Sequence, residues 1–374
     1  MAIFADHEPT VSRAPRGGGW FGWSLILVGI IAITTIALVP SPYVIETPGP
    51  VFDVLSTVET DGDDVPLIEI PVEETYPTEG SLNMLTVSIR GNRENAVNWF
   101  DVALAWLDPS KAVVPVESVY PEGVTVEQSN EENAAQMTSS QQEAIAAALI
   151  NLGYDVPVSV TIGDVGEGSP AEGKIKTGDI VSTVNGKAVT DETALRAAII
   201  ANGTKKALQI GVERAGKPVT VSVTPVLSTP AESSTEPTPI IGVVLGATYK
   251  FPFEISIQIE NVGGPSAGQM FALGIIDKLT PGALTGGADV AGTGTIAEDG
   301  TIGPIGGIRQ KLYGASEAGA KYFLAPTENC NEVVGHIPDG LTVFSVTKLS
   351  DSLAALTAIA DKADTSQLAT CEAN

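Results

Sequence analysis

Nucleophilic hydrolysis needs an activated oxygen or sulfur and a base to take its proton, and histidine is the usual base. This chain of 374 residues has two histidines, His7 and His336. A Ser–His–Asp arrangement would have to use His336, and a His-rich metal site cannot be assembled. Two other residues have surroundings suited to the chemistry. Ser266 lies in Asn261-Val-Gly-Gly-Pro-Ser-Ala-Gly268, before an apolar stretch from Gln269 to Leu279 that reads as a helix. Pro265 stands near the first helical position, where a missing amide costs little. Gly264 and Gly268 leave room for a substrate carbonyl, and the unpaired amides of a helix mouth favour a developing oxyanion. Lys311 ends the run Gly303-Pro-Ile-Gly-Gly-Ile-Arg-Gln-Lys311, which leads into a short helix that Gly319 stops. There it neighbours Ile308 and Leu312, so its amine can be desolvated, its pKa depressed and its neutral form left able to deprotonate Ser266. Taken singly, each has a blander reading: Ser266 as a helix N-cap, Lys311 as a snorkelling surface lysine.

Composition bounds what surrounds these residues. Apolar residues make up 43% of the chain, enough for full cores, and 45 acidic against 20 basic residues give a net charge of −25. Such a field repels nucleic acid and anionic membrane surfaces. Residues 20–39 form an uncharged run rich in Ile, Leu and Val, with Trp20, Phe21 and Trp23 at its entry and Pro40 after its end. A helix of that length crosses a hydrocarbon core of ~30 Å. Arg13 and Arg16 precede it, whereas the next basic residue after it is Arg90. The positive-inside rule therefore predicts a cytoplasmic tail (1–19), a transmembrane helix (20–39) and everything after Pro40 outside the cytoplasm. A cleaved signal peptide would be shorter and would end in a small-x-small exit.

Residues 40–153 form an extracytoplasmic N-terminal region of short extended segments such as Leu82–Ile89, to which no domain of its own is assigned, and a helix is expected over 139–152, stopped by Gly153. Residues 154–227 alternate in a β-like manner and carry Gly168-Ser-Pro-Ala171, Gly178-Asp-Ile180 and Val184-Asn-Gly186, followed by a helix over 192–201 and a closing strand over 220–225. Asn-Gly between apolar strands suits the positive φ of a tight hairpin turn. This stretch resembles a PDZ domain of the kind found in bacterial proteases, which implies capture of an extended peptide by strand addition. Leu152-Gly153-Tyr154 is the candidate for its carboxylate-binding loop. Gly168 to Lys174 also matches the spacing of a phosphate-binding loop, but Ile175 stands where a magnesium-binding hydroxyl is required, so no ATPase is expected. A Pro-, Ser-, Thr- and Glu-rich linker (228–239), a second domain (240–360) and a polar tail (361–374) complete the chain.

Gly-Pro-Ser266-Ala-Gly, Ala291-Gly-Thr293-Gly-Thr-Ile, Pro-Ile-Gly-Gly-Ile-Arg-Gln-Lys311 and Gly-Ala-Lys-Tyr-Phe-Leu-Ala-Pro326 occur in this order. Together they resemble the proteolytic domain of Lon proteases, most closely the small membrane-anchored, ATP-independent Lon-like proteases that carry a PDZ domain. The resemblance implies Ser266 as nucleophile, Lys311 as general base and Thr293 as the hydroxyl that holds the base amine, with Gly264, Pro265 and Gly268 in support. It also implies extended or loosely folded polypeptide substrates, no cofactor or metal, and a homo-oligomer, commonly a hexameric ring. Gly263-Gly264 departs from Lon, which has an acidic residue before the glycine, and leaves open how the chain before Ser266 is held.

The expected architecture is α+β: one N-terminal transmembrane helix, a β-rich barrel-like PDZ domain and a C-terminal Lon-type proteolytic α/β domain. The expected function is serine endopeptidase cleavage of exported or membrane-associated polypeptides by a Ser–Lys dyad. The competing readings are a membrane-tethered PDZ adaptor with an inert catalytic domain, and a protein that processes only itself. His336 and Asp289 are expected in structural roles. Cys330 and Cys371 lack metal-ligand spacing, and an oxidising compartment would permit a disulfide between them.

Overall fold

Long apolar runs must be buried on both faces, and this chain has several, far apart in sequence, that meet in one sheet. The computed structural model describes residues 23–31, 39–60, 62–228 and 237–371. Three strands of this sheet come first: β1 (Tyr43–Asp53), β2 (Ser81–Arg90) and β3 (Ala112–Pro115), with a short helix α1 (Trp99–Ala105) between the last two. Helix α2 (Val126–Asn151) follows, opened by a capping box in which Thr125 and Gln128 satisfy each other's backbone amides. The helix expected over 139–152 is therefore its second half. Its first half is too polar to register as an amphipathic pattern, and the sequence signal was the Thr-x-x-Gln cap.

The PDZ-like part then begins with β4 (Val158–Val165), β5 (Ile180–Val184), helix α3 (Glu192–Asn202), β6 (Leu208–Arg214) and β7 (Lys217–Val223). Asn185 and Gly186 turn the chain with φ of 50° and 78°, as the hairpin reading requires. The sheet is completed by β8 (Val243–Tyr249), giving the order β7-β6-β5-β4-β8. Residues 243–249 thus belong to this sheet and not to the domain expected from 240. The residues flanking the expected linker pair with each other, Val226–Leu227 against Pro239–Ile240.

After this insertion the chain returns to the first sheet. It forms α4 (Gly268–Leu279), β9 (Asp289–Gly292), α5 (Ile308–Glu317), β10 (Tyr322–Pro326), β11 (Thr342–Val346) and α6 (Leu349–Ala360). The sheet order is β11-β10-β9-β2-β1-β3. β2, β9, β10 and β11 are mutually parallel, whereas β1 is antiparallel to both β2 and β3. The region 40–153, to which the sequence assigned no domain, is therefore the first half of the proteolytic fold, and the PDZ-like domain is inserted between α2 and Ser266. Parallel pairing of β2 with β9 joins residues about two hundred positions apart, a relation that no local pattern records.

Helix α4 is buried on all sides from Gly268 to Asp277, as a helix apolar all round must be, and packs on α2, β2 and α6 in one core. The PDZ-like domain has a separate core around Ile162, Leu195, Leu208 and Ile210. The two meet where Tyr249 donates to Glu298 across 2.5 Å. The end of the described chain, expected as part of a polar tail, instead runs beside β11: the Ser345 amide donates to the Ala369 carbonyl, Thr370 bridges Phe344, and Cys371 is joined to Cys330 in a disulfide. That bond closes a loop with a sequence separation of 41. In the chain-entropy picture it is worth up to about 4 kcal/mol. Reduction, or Cys371→Ser, is expected to lower the midpoint of thermal unfolding without changing the far-ultraviolet dichroism.

Residues 23–31 of the expected membrane helix are helical and present Leu25, Ile26, Leu27 and Val28 to the surroundings; the remainder of 20–39, save Val39, lies outside the described residues. Among the described residues no helix is long and apolar enough to cross a membrane.

Candidate active site

Ser266, Thr293 and Lys311 arrive from three different elements. Ser266 sits two residues before α4, on a turn in which Gly264 has φ of +83°. Pro265 is not at the first helical position as expected, since the N-cap is Ala267. Its carbonyl instead accepts a hydrogen bond from the buried Ser140 Oγ at 2.9 Å. Gly264 donates its amide to the Asn133 carbonyl at 2.8 Å. Helix α2 therefore holds the turn that the Gly263-Gly264 departure left without an obvious support. A Cβ on Gly263 would stand 2.7 Å from the Asn133 Cβ, and one on Gly268 2.8 Å from Ser140 Oγ and from Ile296. Small residues at both places allow the close approach.

Thr293 leaves the end of β9, and its hydroxyl and the Gly294 amide both donate to the Ser266 carbonyl at 2.9 Å. Lys311 is the fourth residue of α5. The loop before that helix is pinned by Asn329, whose amide side chain accepts from the Ile305 amide and donates to its carbonyl, both at 2.9 Å. Ile308 and Leu312 are fully buried beside it, as their spacing suggested.

Lys311 Nζ lies 2.7 Å from Ser266 Oγ and 2.8 Å from Thr293 Oγ1. It is only 2% exposed, and burial alone pulls its pKa down from the ordinary lysine value to about 7. No carboxylate offsets that shift, so a large share of the amine is neutral near pH 7. A neutral amine can accept the Ser266 proton while donating one of its own to Thr293. The three residues have the geometry of a nucleophile, its base and the group that orients the base.

Two recesses flank Ser266. One, of about 660 Å³, is lined by Phe52 of β1, Met84 and Thr86 of β2, Met137 of α2 and the 260–267 segment. The other, of about 490 Å³, lies toward Thr295, Ile305 and Asn331. β1 bulges between Pro48 and Val51, where Gly49 crosses so close to Thr86 that no Cβ would fit. The bulge turns the strand end toward the first recess.

His336 lies apart from these groups, its Nδ1 3.2 Å from the Val334 carbonyl of its own turn. Asp289 accepts from Ser81 Oγ at the start of β9, a strand-edge role. Leu152-Gly153-Tyr154 ends α2, with Gly153 at φ +85° and the Tyr154 ring edge-on to Phe253, and lines no PDZ groove. The groove of that domain, about 200 Å³, lies instead between the outer edge of β8 and α3, lined by Ile199, Ile200, Ile241 and Leu245. Sequence reading missed Ser140, Asn133 and Asn329, because each acts on a segment remote in the chain. It also missed the β8 edge, because that strand follows the linker.

Residues 260–358 match the Lon protease (S16) C-terminal proteolytic domain, and residues 123–224 match a PDZ domain. A Lon protease from Buchnera aphidicola subsp. Acyrthosiphon pisum is 37% identical over 93 residues, 24% of this chain and 12% of that protein. Lon protease 2 from Herpetosiphon aurantiacus is 36% identical over 107 residues, 27% of this chain and 13% of that protein. The chain thus spans about an eighth of the length of these curated relatives. The PDZ domain of the SdrC-like protein from Listeria monocytogenes is 20% identical, with 23% of this chain and 85% of that one covered and a TM-score of 0.20.

Proposed function

We propose that this chain, which carries a Lon-type serine-peptidase domain and a PDZ domain, is a nucleotide-independent endopeptidase whose Ser266 is activated by Lys311. The observation that carries the reading is the buried 2.7 Å contact between Lys311 Nζ and Ser266 Oγ, with Thr293 fixing the amine from its other side. Neutral Lys311 takes the Ser266 proton as Oγ attacks a peptide carbonyl. Amides at the mouth of α4 receive the oxyanion, the ammonium returns its proton to the leaving amine, and water releases the acyl group from Ser266 by the same route. An extended polypeptide fits the two recesses on either side of Ser266. Incubation of an unstructured polypeptide with the purified protein and no nucleotide tests the proposal: cleavage is expected, and its loss in Ser266→Ala. Strong peptide binding with no acylation of Ser266 by a serine-directed probe would favour the adaptor reading.

The depressed pKa fixes the sign of the pH dependence. Lys311 must be neutral to act, so kcat/KM for a peptide is expected to rise as pH increases through about 7 and to level off above it. Glu143 also titrates near there: burial first, then Glu298 and Glu192, push its carboxyl up to about 7. The profile measured in Glu143→Gln separates the two, and the rise is expected to persist.

The proposal extends to place and partner. The uncharged run 20–39 and the excess of Arg before it support a single-pass anchor with the catalytic fold outside the cytoplasm. The outer edge of β8 beside α3, unpaired among the described residues, supports strand addition of a substrate peptide in the PDZ groove. Exported or membrane-associated polypeptides are the substrates this arrangement would meet. A hexameric ring is the assembly the Lon resemblance suggests, and sedimentation of the solubilised protein tests it.

A further inference from the structure

Helix α1 buries Val102 and Ala105 against Ile45 and Val97. Its other side and the two residues after it present Phe100, Leu104, Trp106 and Leu107, at 48, 49, 63 and 83% exposure. Large apolar groups gathered so closely on one short segment mark a surface that something else covers. The chain's own path says what lies next to it. Pro40, the first residue after the apolar run, forms an antiparallel bridge with Asn98, the N-cap of α1, and the Ser41 amide donates to the Val97 carbonyl at 2.8 Å. The end of the run is thereby tied to the start of α1.

From this juxtaposition we infer that α1 and the Trp106–Leu107 corner are a second membrane contact, seated in the outer interfacial layer beside the point where the chain leaves the bilayer. The inference rests on the anchor proposed above. Trp106 is eight residues beyond Asn98, about 12 Å of helix rise, and the interfacial layer on each side of a bilayer is itself about 5–7 Å deep. With α1 lying along the membrane surface, Phe100, Leu104, Trp106 and Leu107 stay within that layer. Indole and phenyl rings favour that layer, and aliphatic side chains reach the acyl boundary below it. The flanking charges are held at the rim in pairs, Asp101 with Arg90 and Asp108 with Lys111. With a net charge of −25 on the chain, the contact is apolar and does not depend on anionic lipid or on salt. Docking would also fix the height of the active site. Strand β1 runs from Tyr43, near the membrane end, to Phe52 in the recess by Ser266, nine residues or about 30 Å at most. A substrate leaving the bilayer must then be extended for roughly that distance before its scissile bond arrives.

The test uses the full chain reconstituted in phosphatidylcholine vesicles. Trp20→Phe and Trp23→Phe leave Trp99 and Trp106 as the fluorophores, and Trp106→Phe in that background isolates the Trp106 signal. The expected result is that this signal falls roughly twofold with lipids brominated at a shallow acyl position, at low and high salt alike, and is shielded from aqueous acrylamide. A Trp106 signal open to acrylamide and untouched by brominated lipid, in protein that survives a carbonate wash, overturns the docking and leaves the anchor standing. Shielding from both quenchers means that a protein surface covers the patch, and also overturns it. Loss of the protein in the carbonate wash removes the anchor, and the docking with it.

Discussion

Replacing Lys311 by methionine is expected to abolish peptide hydrolysis, with a loss of about 10⁴-fold or more in kcat, while making the protein more stable. Methionine fills the same slot between Ile308 and Leu312 but cannot take a proton. The gain in stability follows from linkage. The folded pKa of Lys311 is depressed to about 7, whereas an unfolded lysine keeps its ordinary value near 10.5. At neutral pH the unfolded chain therefore holds a proton that the folded one partly gives up, and folding is penalised by several kcal/mol. The penalty fades as pH rises toward 10.5, so the stability gap between Lys311→Met and the parent should be large at pH 7 and small at pH 10. Lys311→Arg is the sharper control on chemistry, because a guanidinium stays protonated and is no base. Retained hydrolysis in either variant would sink the dyad. Unchanged stability at pH 7 in Lys311→Met would mean that the lysine is not desolvated as described.

The second large effect is expected from a single methyl group. Gly263→Ala places a Cβ 2.7 Å from that of Asn133, with the Asn133 carbonyl carbon and oxygen at 3.3 Å. Two of these atoms are helix backbone and cannot swing aside, so the turn carrying Ser266 must move. A displacement on the order of 1 Å at a reacting oxygen costs about 10²-fold in kcat, and KM should change less because Phe52, Met84 and Thr86 on the recess wall are untouched. Asn133→Gly in the same molecule removes the nearest of the clashing atoms and should restore part of the rate, at a helix-propensity cost of about 1 kcal/mol. Equal loss with and without Asn133→Gly would show that the turn is not positioned by α2.

These expectations draw on what was legible and what was not. The chemistry was legible because its requirements are local. Ser266 needs small neighbours and a helix mouth, Lys311 needs an apolar helix face, and both are written within a few residues. The hairpin at Asn185-Gly186 and the stop at Gly153 were legible for the same reason, since positive φ selects residue type directly. The support of the site was not. Ser140 reaches the Pro265 carbonyl across 125 positions, and a buried serine in an alanine-rich helix carries no mark of the backbone it holds.

The Ser266–Lys311 dyad is where sequence and structure divide their work. By itself the sequence determined which groups could react, that a histidine base would have to be His336, and that a β-rich domain and an apolar N-terminal run accompany them. Only the tertiary structure decided that Lys311 is buried 2.7 Å from Ser266, that residues 43–115 complete the sheet around them, and that the PDZ domain interrupts that fold and closes with β8 beyond the linker. The physical reason is one of range. Turn, cap and helix preferences act over a few residues and leave a local trace. Parallel strand pairing, close packing and desolvation depend on neighbours that the chain brings together only on folding.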